Sequence, residues 1–247
     1  MNKQLQELQA IIDSSKRIVA FVGAGCSTES GIPDFRSADG LYRQKWRWPP
    51  EQILSHSFFM KRPEDFYRYY REKMMPLDAQ PNAAHAALAK LEKAGRLSAV
   101  VTQNIDGLHQ KAGSVHVCEL HGSIWRNTCM ACGKPYSAEY VKACSEAVPH
   151  CECGGVIKPD VVLYEERLDD DVIEDAVAAI QAAETLIIAG TSMTVYPAAG
   201  LVQYFRGSHL VLINRDATPV DEMADIVIRE PVGEVFSRLT ITGDDQA

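Results

Sequence analysis

Short β-branched apolar runs alternate along the chain with amphipathic stretches of helical period. Near the start, Leu5, Leu8, Ile11 and Ile12 recur at helical spacing with charges between them, which predicts an amphipathic helix. Residues 18–22, IVAFV, have the length and β-branched content of a buried strand and are cut off by Gly23-Ala24-Gly25. Comparable runs predict strands over 98–102, 115–120, 161–164, 186–189, 209–213 and 226–228. Helical patterns lie between them, over 51–59, 64–75, 108–111, 169–183, 197–205 and 232–239. A further helix starts at an Asn82 cap and stops at Gly95, while Pro63 suits a first turn and Pro76 follows a last one. Residues 39–50, rich in aromatics, Arg and Pro, read as a mobile loop, and 242–247 as a ragged polar tail. Strands alternating with helices predict an α/β fold built on a doubly wound parallel sheet.

With 247 residues the chain can form one α/β domain, or a main domain with a smaller attachment. Its formal net charge of -8 argues against general nucleic-acid binding, which needs clustered Lys and Arg, and is compatible with a basic peptide as partner. No run reaches the roughly 20 apolar residues of a membrane span, and the first helix lacks a signal-peptide core. A soluble cytoplasmic protein is therefore expected. Four of the seven cysteines stand in two tight pairs, which fits metal binding in a reducing compartment better than a disulfide framework.

Candidate chemistry gathers at strand ends. Glycines at 23 and 25 let backbone N–H groups approach an anion, yet Gly-x-Gly alone recurs in loops of every kind. The third glycine of a dinucleotide fingerprint would fall at Thr28, and Gly31 and Pro33 interrupt the helix that should follow. A polar loop, Pro33-Asp34-Phe35-Arg36, takes its place. Gln103-Asn104-Ile105-Asp106 ends the second strand, where open α/β sheets hold ligands. His121 follows the third, a position where a lone histidine is more often structural. Cys129 and Cys132, with Cys151 and Cys153 after residues 133–150, offer four thiolates for a tetrahedral zinc, with Cys144 or His150 as remote substitutes. Four sulfur ligands leave no open position, so that metal is structural.

Taken together, GAGCSTESGIPDFR at 23–36, TQNIDGLH at 102–109, ELHGS at 119–123 and the two cysteine pairs resemble the sirtuins, NAD-dependent protein lysine deacylases. GTSMTVYPAA at 190–199 and LIN at 212–214 match the remaining cofactor segments, so the resemblance runs over nearly the whole chain. It implies a Rossmann-like NAD-binding domain made of 1–38, 82–123 and 158–247. A small domain would combine a helical insert, 39–81, with a zinc ribbon, 124–157. It further implies that Gly23 opens a turn in which Ala24, Gly25 and Thr28 meet the pyrophosphate, and that Asp34, Phe35 and Arg36 close over the cofactor. Gln103 and Asn104 would address the nicotinamide-side ribose, and Ile105 and Asp106 the carboxamide. Gly190, Thr191, Ser192 and Asn214 would hold the phosphates and the adenosine half.

In the reaction this implies, the acyl-lysine carbonyl oxygen attacks the ribose anomeric carbon, with Asn104 beside it and His121 as general base. The products are nicotinamide, free lysine and O-acyl-ADP-ribose. Val161, Val162, Leu163 and Tyr164 would border the peptide by strand addition. The family usually has Phe-Gly-Glu where this chain has Tyr164-Glu165-Glu166, which leaves the peptide path open. Members that prefer acidic acyl groups carry Tyr-x-x-Arg on the insert. Here Tyr67 is followed by Tyr70, with Arg71 one residue further on, so neutral acyl groups are expected, acetyl first. The chain is read as a monomer. Two rival readings are a protein ADP-ribosyltransferase using the same site, and a zinc- and NAD-dependent binding module.

Overall fold

The structure is a computed structural model that describes residues 3–37 and 39–241. The polar tail at 242–247 lies outside those residues. The strands are β1 Ile18–Val22, β2 Leu97–Thr102, β3 Val117–Glu119, β4 Gly122–Cys129, β5 Pro135–Ser137, β6 Ile157–Val161, β7 Thr185–Ala189, β8 His209–Ile213 and β9 Ile226–Ile228. The helices are α1 Lys3–Ser14, α2 Pro50–Ile53, α3 His56–Lys61, α4 Pro63–Tyr69, α5 Ala83–Lys93, α6 Leu108–Ala112, α7 Ala138–Ala143, α8 Asp170–Ala182 and α9 Val232–Ser237.

Six strands form one parallel sheet in the order β3-β2-β1-β7-β8-β9. Every residue of β1 and β7 is buried, as a sheet covered on both faces requires, which is why these strands read as unbroken apolar runs. One face packs on α1, α5 and α9 through Leu5, Leu8, Leu88, Leu91, Val235 and Phe236. The other packs on α8 and a 3₁₀ segment through Ala176, Ile180, Leu201 and Val202. The chain builds outward from β1 to β3 and later returns to β7 on the other side of β1. The carboxyl ends of β1 and β7 therefore stand where the direction of strand succession reverses, the usual position of the ligand crevice in such sheets.

A second, antiparallel sheet, β5-β4-β6, shares its apolar cluster with α2, α3 and α4. Phe59 and Phe66 meet edge to face there with centroids 5.0 Å apart. Tyr67 and Tyr70, both fully buried, pack beside Phe66, Tyr70 stacked on its ring and Tyr67 edge to face.

Several expected elements differ in the structure, each for a local reason. The helix expected over 51–59 is two helices, because Ser55 caps α3 by accepting from the Phe58 N–H at 3.2 Å. The 64–75 helix ends as α4 and continues as a π-helical turn, Tyr70–Met74. The strand expected over 161–164 is instead β6, which ends at Val161, since the next three amides bond to His121, Glu166 and Leu54 rather than along one neighbouring strand. The 197–205 segment is a 3₁₀ helix, Ala198–Tyr204. The expected 115–120 strand shortens to β3, with Val115 exposed. Strands β4 and β5 and helix α7 have no counterpart among the expected elements. The expected domain boundaries at 123/124 and 157/158 fall inside β4 and β6.

Candidate active site

A cleft of about 320 Å³ opens where the carboxyl ends of the parallel strands face the second sheet. It is lined by Ala24, Gly25, Thr28, Asp34, Phe35 and Arg36 from the loop after β1, and by Gln103, Asn104, Ile105 and Asp106 after β2. His121, the segment Val161, Val162, Leu163 and Tyr164, and Gly190, Thr191, Ser192 and Asn214 complete the wall. Of the expected cofactor and peptide residues, Gly23 alone does not line it.

The glycines also serve the packing of two loops. The Gly23 and Gly25 N–H groups donate to the Ala189 and Gly190 carbonyls at 3.1 and 2.8 Å, so neither is free for an anion. A Cβ on Gly25 would stand 2.9 Å from the Gly190 Cα, and one on Gly190, at φ +62, only 2.3 Å from the Cys26 nitrogen. These glycines let the loops after β1 and β7 touch, which sets the crevice width.

Beneath that contact lies a buried polar network. The Ser27 hydroxyl donates to Asp106 Oδ2 at 2.7 Å, and the Leu108 N–H to Asp106 Oδ1 at 2.9 Å. Burial raises the Asp106 carboxyl above its ordinary range, against these two bonds. Asn104 Nδ2 donates to the Gly23 carbonyl and to Ser27 Oγ, both at 3.1 Å. His121 Nδ1 lies 2.9 Å from the Gln103 carbonyl, which assigns the proton to Nδ1 and leaves the Nε2 lone pair unprotonated. Burial lowers the His121 imidazole below its ordinary value, the Gln103 carbonyl opposing in part.

The loop after β1 is folded on its own backbone. Asp34 Oδ1 accepts from the Arg36 and Ser37 amides at 3.0 and 2.8 Å, and Asp34 Oδ2 faces Arg215 at 3.7 Å. Tyr42 reaches across to Tyr164, hydroxyl to hydroxyl at 2.8 Å. In the peptide segment, the amides of Val162, Leu163 and Tyr164 donate to the His121 carbonyl, Glu166 Oε2 and the Leu54 carbonyl. Those three amides are therefore already paired and not available for strand addition. Glu165 stands at φ +77, a conformation that favours glycine, and its carboxylate accepts from Ser57 N at 2.8 Å and Ser57 Oγ at 3.0 Å.

Arg71 turns away from the cleft. Its Nε donates to the Val141 carbonyl at 3.0 Å and its Nη1 to the Glu146 carbonyl at 2.9 Å. Tyr67 is buried with its hydroxyl on the Ile157 carbonyl. Neither lines the cavity.

At the far side of the second sheet, the sulfurs of Cys129, Cys132, Cys151 and Cys153 all lie within 4.8 Å of one another. Two pairs are 3.5 and 3.6 Å apart, close to the roughly 3.8 Å between ligands of a tetrahedral zinc–thiolate centre. The donor set thus fits zinc. Gly155 makes the short Cys-x-Cys turn possible, since a Cβ there would meet the Cys129 sulfur at 2.7 Å. Cys144 and His150 stand outside the group.

Sequence reasoning missed Ser27, Tyr42 and Arg215. Ser27 lies within one of the recognised motifs, but its partner Asp106 is 79 positions away, and no local pattern links them.

Comparisons with known proteins agree with this geometry. The model of the Sir2 family matches residues 23–197. An NAD-dependent protein deacetylase of Clostridium acetobutylicum is 57% identical over 94% of this chain and 96% of its own length. One from Cutibacterium acnes is 50% identical over 94% and 96%. The solved structure of Sir2 with a p53 peptide and NAD+ superposes with a TM-score of 0.84 at 39% identity, covering 96% of this chain and 97% of that one. Sir2 bound to an acetylated peptide gives 0.84 at 37%, over 96% and 97%. A family match across well over half the chain, joined to relatives of this similarity and to a cleft at the expected sheet edge, means that the chain belongs to the Sir2 family.

Proposed function

We propose that the chain is an NAD-dependent protein lysine deacetylase, with acetyl-lysine peptides or proteins as substrates. The observation that carries this is His121, one nitrogen pinned by Gln103 and the other unprotonated, in the same cavity as Asn104 and the loops after β1 and β7. NAD, when bound, would supply a ribose whose anomeric carbon passes from nicotinamide to the acetyl carbonyl oxygen; with one water consumed as the amine leaves, the products are nicotinamide, free lysine and O-acetyl-ADP-ribose. Ala24 and Thr28, beside Gly25, would face the pyrophosphate, with Gly190, Thr191, Ser192 and Asn214 at the adenosine half. Gln103 and Asn104 would orient the ribose, and Ile105 and Asp106 the carboxamide. Asp34, Phe35 and Arg36 would cover the cofactor and exclude water. His121 Nε2 would take a proton from a ribose hydroxyl.

Val161, Val162, Leu163 and Tyr164 would border the peptide, with the Val162 carbonyl and the Glu165 backbone as its pairing groups. The four cysteines would hold one structural zinc. The reading includes a monomer in a reducing cytoplasm, a main domain of 1–38, 82–123 and 158–247, and a small domain of 39–81 and 124–157. With Arg71 bonded elsewhere, the cleft offers no Tyr-x-x-Arg pair to an acidic acyl group.

Mass spectrometry of one lysine peptide, carried in acetyl and succinyl forms, tests this. Loss of acetyl with NAD present, and little loss of succinyl, is the expected result; a peptide that gains ADP-ribose instead would replace deacetylation with ADP-ribosyl transfer. The pH profile gives a second test. His121 must be neutral to accept a proton, and burial lowers its pKa, so kcat/KM should hold on descent through 6.5 and fall only below it. An acid limb centred above 6.5 would count against His121 as base.

A further inference from the structure

Away from the cleft, the outer strand of the parallel sheet carries a second group of metal-binding side chains. His116 immediately precedes β3 and Cys118 lies within it, so the two leave one face of the chain. Asp175 of α8 meets them there. His116 Nε2 is 2.8 Å from Asp175 Oδ2, the Cys118 thiol donates to the same oxygen at 3.3 Å, and sulfur and Nε2 are 3.9 Å apart. The other ring nitrogen, Nδ1, lies 2.8 Å from the Ser98 carbonyl. Metal-bound histidines are commonly oriented by such a bond, which leaves Nε2 for the ion.

We infer that His116 Nε2, Cys118 Sγ and Asp175 Oδ2 form a second zinc site, with its fourth position open to solvent. Zinc accepts nitrogen, sulfur and oxygen donors together, and tetrahedral bonds of the usual lengths put such donors about 3.4–3.8 Å apart. The three observed separations are each within about 0.6 Å of that range. The ion would replace the proton between Nε2 and Oδ2 and the one on sulfur. An ion pair alone accounts for His116 and Asp175; it does not account for a thiol aimed at the same carboxylate oxygen. The side chains of His116 and Asp175 are 43% and 53% exposed, so the ion has a path in. A third group, Cys26 with His85 and His109, is fully buried, but His85 Nδ1 accepts from the Asn82 N–H at 3.2 Å, which leaves its Nε2 protonated and unable to ligate.

Metal counting on protein dialysed against a small excess of Zn²⁺ tests the site. Wild type should hold two zinc ions per chain, while Cys118→Ala and Asp175→Asn should each hold one. Asp175→Asn preserves shape at a half-exposed position, so it guards against a folding defect in the cysteine variant. Titration with Cd²⁺ should give a larger thiolate-to-metal absorbance in wild type than in Cys118→Ala, in which the four-cysteine centre alone contributes. A wild type that stops at one zinc, or a Cys118→Ala protein that still takes up two, would overturn the assignment.

Discussion

His121→Ala should lose about 10²–10⁴-fold in NAD-dependent deacetylation while keeping its fold. Among the described residues the side chain makes one hydrogen bond, to the Gln103 carbonyl, and its removal leaves the sheet and both of its packed faces untouched. The loss should fall on kcat, with NAD affinity by calorimetry little changed, because the glycine contact and the Asn104 network that shape the cleft remain. Proton transfer is needed only as the reaction proceeds, so a defect confined to kcat is what a base predicts. Wild-type turnover in this variant would remove His121 from the mechanism. A variant that loses NAD binding in equal measure would make it a positioning residue instead.

Local signals are legible in the sequence. The run of β1, the Asn82 cap, the positive-φ Gly95 and the paired cysteines each depend on neighbours a few residues away. Features that join distant positions are not. Tyr42 meets Tyr164 across 122 positions, and Asp34 meets Arg215 from another loop. Strand β4 leaves no clear alternation because its burial is irregular, and its pairing with β6 shifts register between Gly122 and Asn127. The spacing of Gly23 and Gly25 suggests an anion turn, whereas their amides and missing side chains serve the contact with the loop after β7. That contact joins positions more than 160 residues apart, which local spacing does not carry.

Cys129→Ala should release the tightly held zinc and melt the smaller sheet with the helices packed on it. Cys129 and Cys151 are both buried in the cluster that joins β4, β6 and α4, so the metal and that core are one unit. Structural zinc contributes about 10–16 kcal/mol of apparent binding energy in small peptides, as large as the whole stability of an ordinary domain, about 5–15 kcal/mol. The parallel sheet has its own two packed faces and should persist longer on heating. Two separated melting transitions, with zinc absent by metal analysis after gel filtration, are expected where wild type shows a higher first transition. Chelation of the wild type should reproduce the effect, and Cys144→Ser, outside the cluster, should not. Unchanged zinc content together with unchanged melting in Cys129→Ala would remove the four-cysteine centre from the account of stability. Deacetylation should fall along with the first transition, since Val161 ends β6 and Tyr164 bridges to Ser55, so the peptide segment is carried by the same unit.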